Sequence, residues 1–487
     1  TASAATCAVR VPGWGTSARA KERTGRDLTI QGDIGLSVFP WVGIELGVVE
    51  LGNAAGFKAA YFARTERVSV RLKLLPLLSR RVEMDTVTID GLALNLERRA
   101  DGLTNYDDLG GDDIERDSRP GGSQEGAGLA AFALGGLDVN NASLNWVDAV
   151  SGKSYSISNL IVSTGAVSPG SPVALEVGFD VAGGKPAVSG RVTLSGTLVA
   201  DVAAMAHELR ELALAVDLKG EQFPNGVLAA TMNGSLDADL GKDTAAVRNL
   251  KLTVGDLVLT GSVSLVGISK DLSYQGKFEV PDFDVKQFMS SLGQPPLETA
   301  DESVLTRAAA SLSVKGAAGR VAISPLALSL DESKITGRVE ITDFERAALR
   351  FDLALDSINV DRYLPPPGEQ GRPVATPGGA ASESTEIPVD MLRGLDVAGT
   401  ARIGALTVSN LQLARVVATV NAKDGLIRMH PLGAELYQGV YAGNVRLDAR
   451  GKVPSLSVSE SLKGVQAGPL LKDLQGVGHL TGTGAVT

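Results

Sequence analysis

His207, His430 and His479 are the only imidazoles in the 487 residues, and each falls in a different part of the chain. Metal-assisted hydrolysis or nucleophilic catalysis needs a base held beside a ligand or a nucleophile. No HExxH, GxSxG or paired-histidine spacing provides that, so the three read as isolated surface or turn residues. Cys7 is the single cysteine, which excludes an intramolecular disulfide and a cysteine-built zinc site. Gly152-Lys153-Ser154 has the ending of a phosphate-binding loop, but the position where the first glycine belongs holds Val147. The flanks carry strand patterns, and a hairpin turn is the better reading. Asp101, Asn105, Asp107 and Asp108, with Asp112 and Asp113 beyond, offer enough oxygen atoms for calcium. Their order does not follow an EF-hand loop, and Asx turns with a helix N-cap account for them. The expectation is a protein with no catalytic residue, no cofactor and no metal.

The elements around these residues point to β structure. Hydrophobic residues make up 44% of the chain but aromatics only 4%, and there are 57 glycines, a mix that suits many short strands and turns. Val87-x-Ile89 and Leu92-x-Leu94-x-Leu96 alternate at period two, with Thr88, Asp90, Ala93 and Asn95 opposite and Gly91 as a turn or bulge between the runs. The pattern recurs around Val188, Val192 and Leu194, around Leu257, Leu259, Val263 and Leu265, and at Val445 and Leu447. Helical signals are few: Asp201 to Arg210, Asp284 to Leu292, Asp301 to Ala310 and Pro469 to Leu474. Residues 110–127 and 366–388 are rich in Gly, Pro, Ser and charge, and read as linkers. The expected organisation is an N-terminal region 1–109, a linker 110–127, a repeated strand region 128–365, a linker 366–388 and a C-terminal β region 389–487.

A repeat underlies the strands. Residues 252–296 and 326–367 share a strand, a turn, a strand through Gly261 or Gly337, a strand with Phe278 or Phe351, and a segment at Val285 or Val360 leading to a Pro-rich stop. Equivalent positions lie about 75 residues apart, and a degraded third copy follows at 434–474. Units that cannot bury their own sheet face must stack. The pattern predicts a mainly β fold, an elongated array built from repeated strand units with a few short helices. The net charge is −10 and no basic patch stands out, which argues against a nucleic-acid partner. The longest uncharged apolar stretch of the opening region, Ile34 to Ile44, is too short and too broken by Gly35, Pro40 and Gly43 to span a bilayer. Residues 1–20 lack a signal-peptide core and the chain begins at Thr1, so it reads as a segment of something longer.

Several motifs resemble the AsmA family. They are Thr24-Gly25-Arg26, Phe39-Pro40-Trp41, Leu51-Gly52-Asn53, Pro76-Leu77-Leu78 and Asp101-Gly102 with Asn105 and Asp107-Asp108-Leu109. Residues 392–443 are similar to the family's later region, while residues 1–16 match neither its membrane helix nor its amphipathic segment, and the last strand pattern is still running at LTGTGAVT. The resemblance implies a periplasmic protein of Gram-negative bacteria, anchored in the inner membrane, with a role in outer-membrane homeostasis. It also implies kinship with the TamB-like and YhdP-like proteins, whose long curved sheets are thought to conduct phospholipid along an apolar groove, so the elongated array is expected to be a curved antiparallel sheet or groove of roughly 20 to 25 strands. The expected partners are phospholipid, the inner membrane and outer-membrane proteins.

On that expectation Val87, Ile89, Leu92, Leu94 and Leu96 are the nominees for the lipid-holding face. Phe39 and Trp41 are nominees for a membrane-proximal wedge, and packing of the N-terminal end explains them equally well. A closed core would show the same alternation as a lipid-lined groove. The alternative function is an assembly factor that pairs a free sheet edge with strands of outer-membrane proteins.

Overall fold

The structure is a computed structural model that describes residues 6–8, 25–31, 34–37, 41–73, 83–109, 133–168, 170–201, 203–366, 389–451, 453–475 and 482–486. Phe39, His479 and both linker segments apart from Pro366 lie outside the described residues, and of Trp41 only the backbone is described. The chain divides into two units, one of Thr1–Lys242 with Val247–Val254 and the other of Asp243–Ala246 with Gly255–Thr487.

The first unit opens with short strands: Thr6–Ala8 (β1), Leu28–Gln31 (β2), Gly35–Ser37 (β3), Trp41–Leu46 (β4), Val48–Gly52 (β5), Tyr61–Thr65 (β6), Arg67–Lys73 (β7), Glu83–Asp90 (β8) and Ala93–Arg98 (β9). Longer ones follow: Ala133–Asp148 (β10), Lys153–Thr164 (β11), Val173–Gly183 (β12), Val188–Asp201 (β13), Ala206–Gly220 (β14), Val227–Asp239 (β15) and Thr244–Val254 (β16). From β10 to β15 each strand pairs antiparallel with the next. Before β10 the sheet forks. β8 and β9 lie end to end along β10, both parallel to it; β8 continues through β7, β4, β3 and β1, and β9 through β6, β5 and β2.

Gly91 makes the fork. Its φ is +61°, and a Cβ there would meet the Glu66 side chain at 2.5 Å, so only glycine fits the corner without strain. The amide of Gly91 donates to the Asn140 carbonyl at 2.9 Å and that of Glu66 donates to the Asp90 carbonyl at 3.0 Å. These bonds tie the corner to the strands on either side.

The second unit holds Leu257–Val266 (β17), Ser273–Phe283 (β18), Ala308–Ala317 (β19), Arg320–Leu330 (β20), Ser333–Asp343 (β21), Ala348–Asn359 (β22), Asp396–Val408 (β23), Leu411–Lys423 (β24), Leu426–Leu436 (β25), Gly439–Asp448 (β26), Ser455–Gln466 (β27) and Thr483–Val486 (β28). Three short helices accompany them, Val285–Ser291 (α1), Val389–Gly394 (α2) and Ala467–Gln475 (α3), with 3-10 turns at Pro224–Gly226 and Val360–Arg362. Consecutive strands from β17 pair antiparallel, except that β22 and β23 are parallel. A parallel pair needs a crossover of a dozen residues or more. The two segments read as linkers, 110–127 and 366–388, fall in the two connections that need one.

The mainly β, repeat-built class with few short helices is what the sequence predicts, and the nine short strands before β10 raise the described total above the 20 to 25 expected. Helices at Asp284–Leu292 and Pro469–Leu474 correspond to α1 and α3. Two helical readings are corrected. Residues 201–210 end in β14, where Leu209 takes its place between Leu198 and Leu236. Residues 301–310 form turns that end in β19, with Ala308 paired to Phe283 and Leu330. In both, pairing on two edges overrides a local preference for helix. The repeat is real at its ends: Asp284 caps α1 by accepting from the Gln287 amide, and Asn359, about 75 positions on, caps the 3-10 turn through the Asp361 amide.

Among the described residues substantial contacts run between hydrogen-bonded neighbours, apart from α3 with β24 and β27 and the 3-10 turn with β23. Among the described residues the fully buried apolar side chains are few, and five of them are alanines: Ala142, Ala348, Ala422, Ala434 and Ala449. Each unit is therefore a single sheet layer whose apolar face is covered mainly by its own neighbouring side chains.

Candidate functional site

The residues singled out for possible chemistry converge, but on each other. Arg26 is 3% exposed and lies 4.7 Å over the Phe62 ring. Its guanidinium donates to both Asp108 oxygens and, at 2.5 Å, to the Asn105 carbonyl. Asn105 is fully buried; it donates to Asn53 Oδ1 at 2.9 Å and to the Asn95 carbonyl at 2.7 Å, and accepts from the Glu97 amide at 2.9 Å. Glu97 in turn accepts from the Lys58 and Ala59 amides. The Arg26 hydrogen bond holds the Asp108 carboxyl below its ordinary range, and Thr104 does the same for Asp107. Oxygen atoms that a calcium ion would need are thus engaged by Arg26, Thr104 and backbone amides. The Asx turn is present, with Asp101 accepting from the Leu103 amide, but residues 105–109 form turns and no helix. Arg26, Asn53 and Asn105 come from three separate motifs, so this is a clasp that fixes β2, β5 and β9 at one end.

His207, His430 and the Gly-Lys-Ser segment lie in or beside strands. His207 lies in β14, opposite Ala200 and Ala238, and His430 lies in β25 before a cis peptide to Pro431. Gly152 closes the β10–β11 hairpin turn at φ +66°, and Lys153 and Ser154 open β11, paired with Asp148 and Val147. No group of three or more His, Cys, Asp or Glu side chains with metal-holding geometry occurs among the described residues.

The apolar nominees belong to a much larger array. Reading across the pairings, one row passes through Leu46, Val68, Ile89, Val139, Val162, Val177, Leu194, Leu214 and Met232. A second passes through Leu28, Leu51, Ala63, Leu94, Leu144, Ile157, Val181, Gly190, Leu218 and Leu228. The rows cross β12 at Val177 and Val181, four residues apart in an unbroken strand, so they share one face. Leu96 joins the same face through Trp146, Tyr155 and Gly183, and Val87 precedes Ile89 by two. Leu92 differs: it falls at the corner after Gly91, outside both strands, where its carbonyl accepts from the Ser143 amide. The opposite face carries a polar row, Thr88, Asp138, Ser163, Glu176, Ser195, Ala213 and Asn233.

In the second unit a row runs from Val263 through Gly276, Val314, Ile323, Val339, Phe351, Gly399, Val420, Met429 and Val445 to Val458 with no polar residue in eleven strands. Its neighbour towards the β21–β22 turn runs from Leu265 through Tyr274, Ile341 and Leu349 to Leu456, with the Tyr274 hydroxyl its one polar group. Aromatic rings on this face are laid down on glycines: Phe351 covers Gly399 and Tyr274 covers Gly316 so closely that a Cβ at either glycine would collide. The face is low, continuous and half-exposed.

What the alternation did not show is how the face stays continuous where the pattern slips. In β10 the apolar positions shift from Val139 to Ala142 across Asn140-Asn141, in β11 from Ile157 to Leu160 across Ser158-Asn159, and in β14 from Leu209 to Leu212 across Arg210-Glu211. Asn141, Asn159 and Glu211 sit at φ +50°, +50° and +51°, inside strands. Each is a bulge whose extra residue returns the next apolar side chain to the same face. Ser324-Pro325 in β20 and His430-Pro431 in β25 mark the same slip. Two consecutive non-apolar residues inside an alternating run were the signal.

The model of the AsmA family matches residues 17–487. The chain belongs to the AsmA family. This family is linked to the bacterial envelope and the biogenesis of its outer membrane, which agrees with the resemblance carried by Arg26, Asn53 and Asn105. Comparison with curated proteins gave no match, and comparison with solved structures gave none. No described helix is long and apolar enough to cross a membrane; the stretch Ile34 to Ile44 includes β3 and the start of β4.

Proposed function

We propose that this AsmA-family chain is a non-catalytic carrier that binds phospholipid on its apolar face and conducts it between the inner and outer membranes. The observation that supports this most is the pair of apolar rows on a single sheet layer that, among the described residues, no second layer covers. Acyl chains laid on such a face are stabilised by about 0.8 kcal/mol per CH₂ removed from water. Repetition extends one binding surface across many strands, so a lipid meets similar side chains at each step and no step is a deep trap. Val87, Ile89, Leu94 and Leu96 are part of this surface, and Leu92 marks its corner. In the full-length protein the reading includes a periplasmic location and an inner-membrane anchor.

Purification under native conditions followed by extraction and mass spectrometry tests this directly. The expected result is co-purifying phospholipid, lost when Leu194→Asp and Val339→Asp place carboxylates in the rows of the two units. A folded chain that carries no lipid and acquires none from vesicles overturns the proposal.

A further inference from the structure

The two margins of the apolar face in the second unit differ. At the margin where β18, β22 and β27 end, the chain turns back in α1, in the 3-10 turn Val360–Arg362 and in α3. Phe288 of α1 meets Phe283 edge-on at 5.7 Å, Val304 is wholly buried, and Val465 sits so close over Gly439 that a Cβ there would be 2.3 Å away. Asp331 pins this wall, accepting from the amides of Leu305, Thr306 and Arg307 and from the Tyr363 hydroxyl. Asp361 similarly accepts from the amides of Ser409 and Asn410. The wall is apolar inside, and on its rim Asp282, Asp301 and Glu332 pair with Arg307 and Arg362 while Asp331 and Asp361 accept from backbone amides.

Among the described residues the opposite margin consists of hairpin turns, with α2 beside them holding the Ala449 and Gly451 carbonyls through Arg393. Its turns expose Phe344 (49%) and Val453 (81%) and carry Lys270, Arg320, Arg346 and Arg450 among Asp343, Glu345 and Asp448. Between the margins, β22 presents Leu349, Phe351, Leu353 and Leu355 on the apolar face. From Leu349 to Leu355 is six steps, about 20 Å at about 3.3 Å per residue. One leaflet of a bilayer is about 15 Å deep in hydrocarbon, half of a core of about 30 Å. A membrane acyl chain of that length therefore fits across the band, along the strands, with about 5 Å to spare.

Resting on the carrier reading above, we infer that in the second unit each diacyl phospholipid lies across the sheet, its phosphate headgroup at the hairpin-turn margin and its chain ends against the helical wall. Strand width then acts as a ruler for acyl length. A phosphate at the turn margin stays in water beside Lys270 and Arg320, and the apolar wall meets the terminal methyls.

Two photoreactive phosphatidylcholines, one labelled in the headgroup and one at the acyl terminus, are loaded from vesicles onto the full chain and the crosslinked peptides mapped. The headgroup probe is expected on residues 343–347 and 448–454, and the acyl-end probe on 283–292, 302–306 and 462–471. Leu355→Glu, at the wall side, is expected to lower retention of lipids with chains of about 18 carbons at least fivefold while sparing those of about 10; Leu349→Glu, at the turn side, affects both lengths alike. Capture by both probes with no preference for either margin, or equal loss of all lengths in Leu355→Glu, overturns the orientation and leaves the carrier reading standing. Absence of capture by either probe removes both.

Discussion

The strands before β10 and those of the second unit solve the same problem in different ways. In the first region strands of three to eight residues are too short to hold a register by pairing alone, and a buried polar clasp of Arg26, Asn53, Glu97 and Asn105 fixes them. In the second, strands of ten residues or more pair along their whole length from β17 to β27, and no comparable clasp is needed to set the register. Specificity is concentrated in a few side chains in one case and distributed over rows in the other. A single substitution should therefore do more harm in the clasp than in a row.

Asn105→Ala tests this at its strongest point. Removing a fully buried amide that serves three partners leaves Asn53 and the backbone of Asn95 and Glu97 unsatisfied, at a cost of about 3 kcal/mol. Hydrogen exchange should rise over residues 25–109 and stay unchanged from β17 onward; an even rise over the chain contradicts the division. Gly337→Ala is the corresponding change in the repeats. Its φ is +149° and a new Cβ would lie 2.0 Å from the Asp352 carbonyl oxygen, so the β21–β22 pair must shift, costing about 2 kcal/mol. Urea denaturation should show the smaller effect, with protection lost only around β20 to β23.

Gly91→Ala strains the corner between β8 and β9 by about 1 kcal/mol. Because the corner aligns two apolar rows, the informative readout is lipid retention by the first unit, which should fall more than stability does. The smallest effect concerns acid. Hydrogen bonds from Ser303 and Arg362 hold Asp301 down to about 2, so its contribution is present above its ordinary value near 3.8 and is lost as the pH falls from there towards 2. Asp301→Asn should flatten stability over that window only. A difference between the two proteins at neutral pH that grows with pH would contradict the assignment.

Much of this was legible in the residues. Val87, Ile89, Leu94 and Leu96 announce a face by alternation, and the two Gly- and Pro-rich segments announce the breaks at which parallel crossovers occur. The helical ending of the repeat could be read from Asp284-Val285 and Asn359-Val360. The rows could not, because row membership depends on register, and register depends on bulges such as Asn141 and Glu211 that a strict period-two count treats as noise. The clasp was missed for a related reason. Arg26 and Asp108 are 82 positions apart, and only folding shows that the motifs which distinguish this family touch one another.

Lipid carriage on the apolar rows requires that the two faces of the sheet be different surfaces. Neighbouring residues on a strand point to opposite sides, so photoreactive amino acids at Leu194 and Ser195 in β13, and at Val339 and Glu340 in β21, form matched pairs one residue apart. Irradiation in the presence of phospholipid vesicles should capture lipid at Leu194 and Val339 and not at Ser195 or Glu340. Equal capture within each pair, or none at the apolar positions of a folded chain, would contradict it.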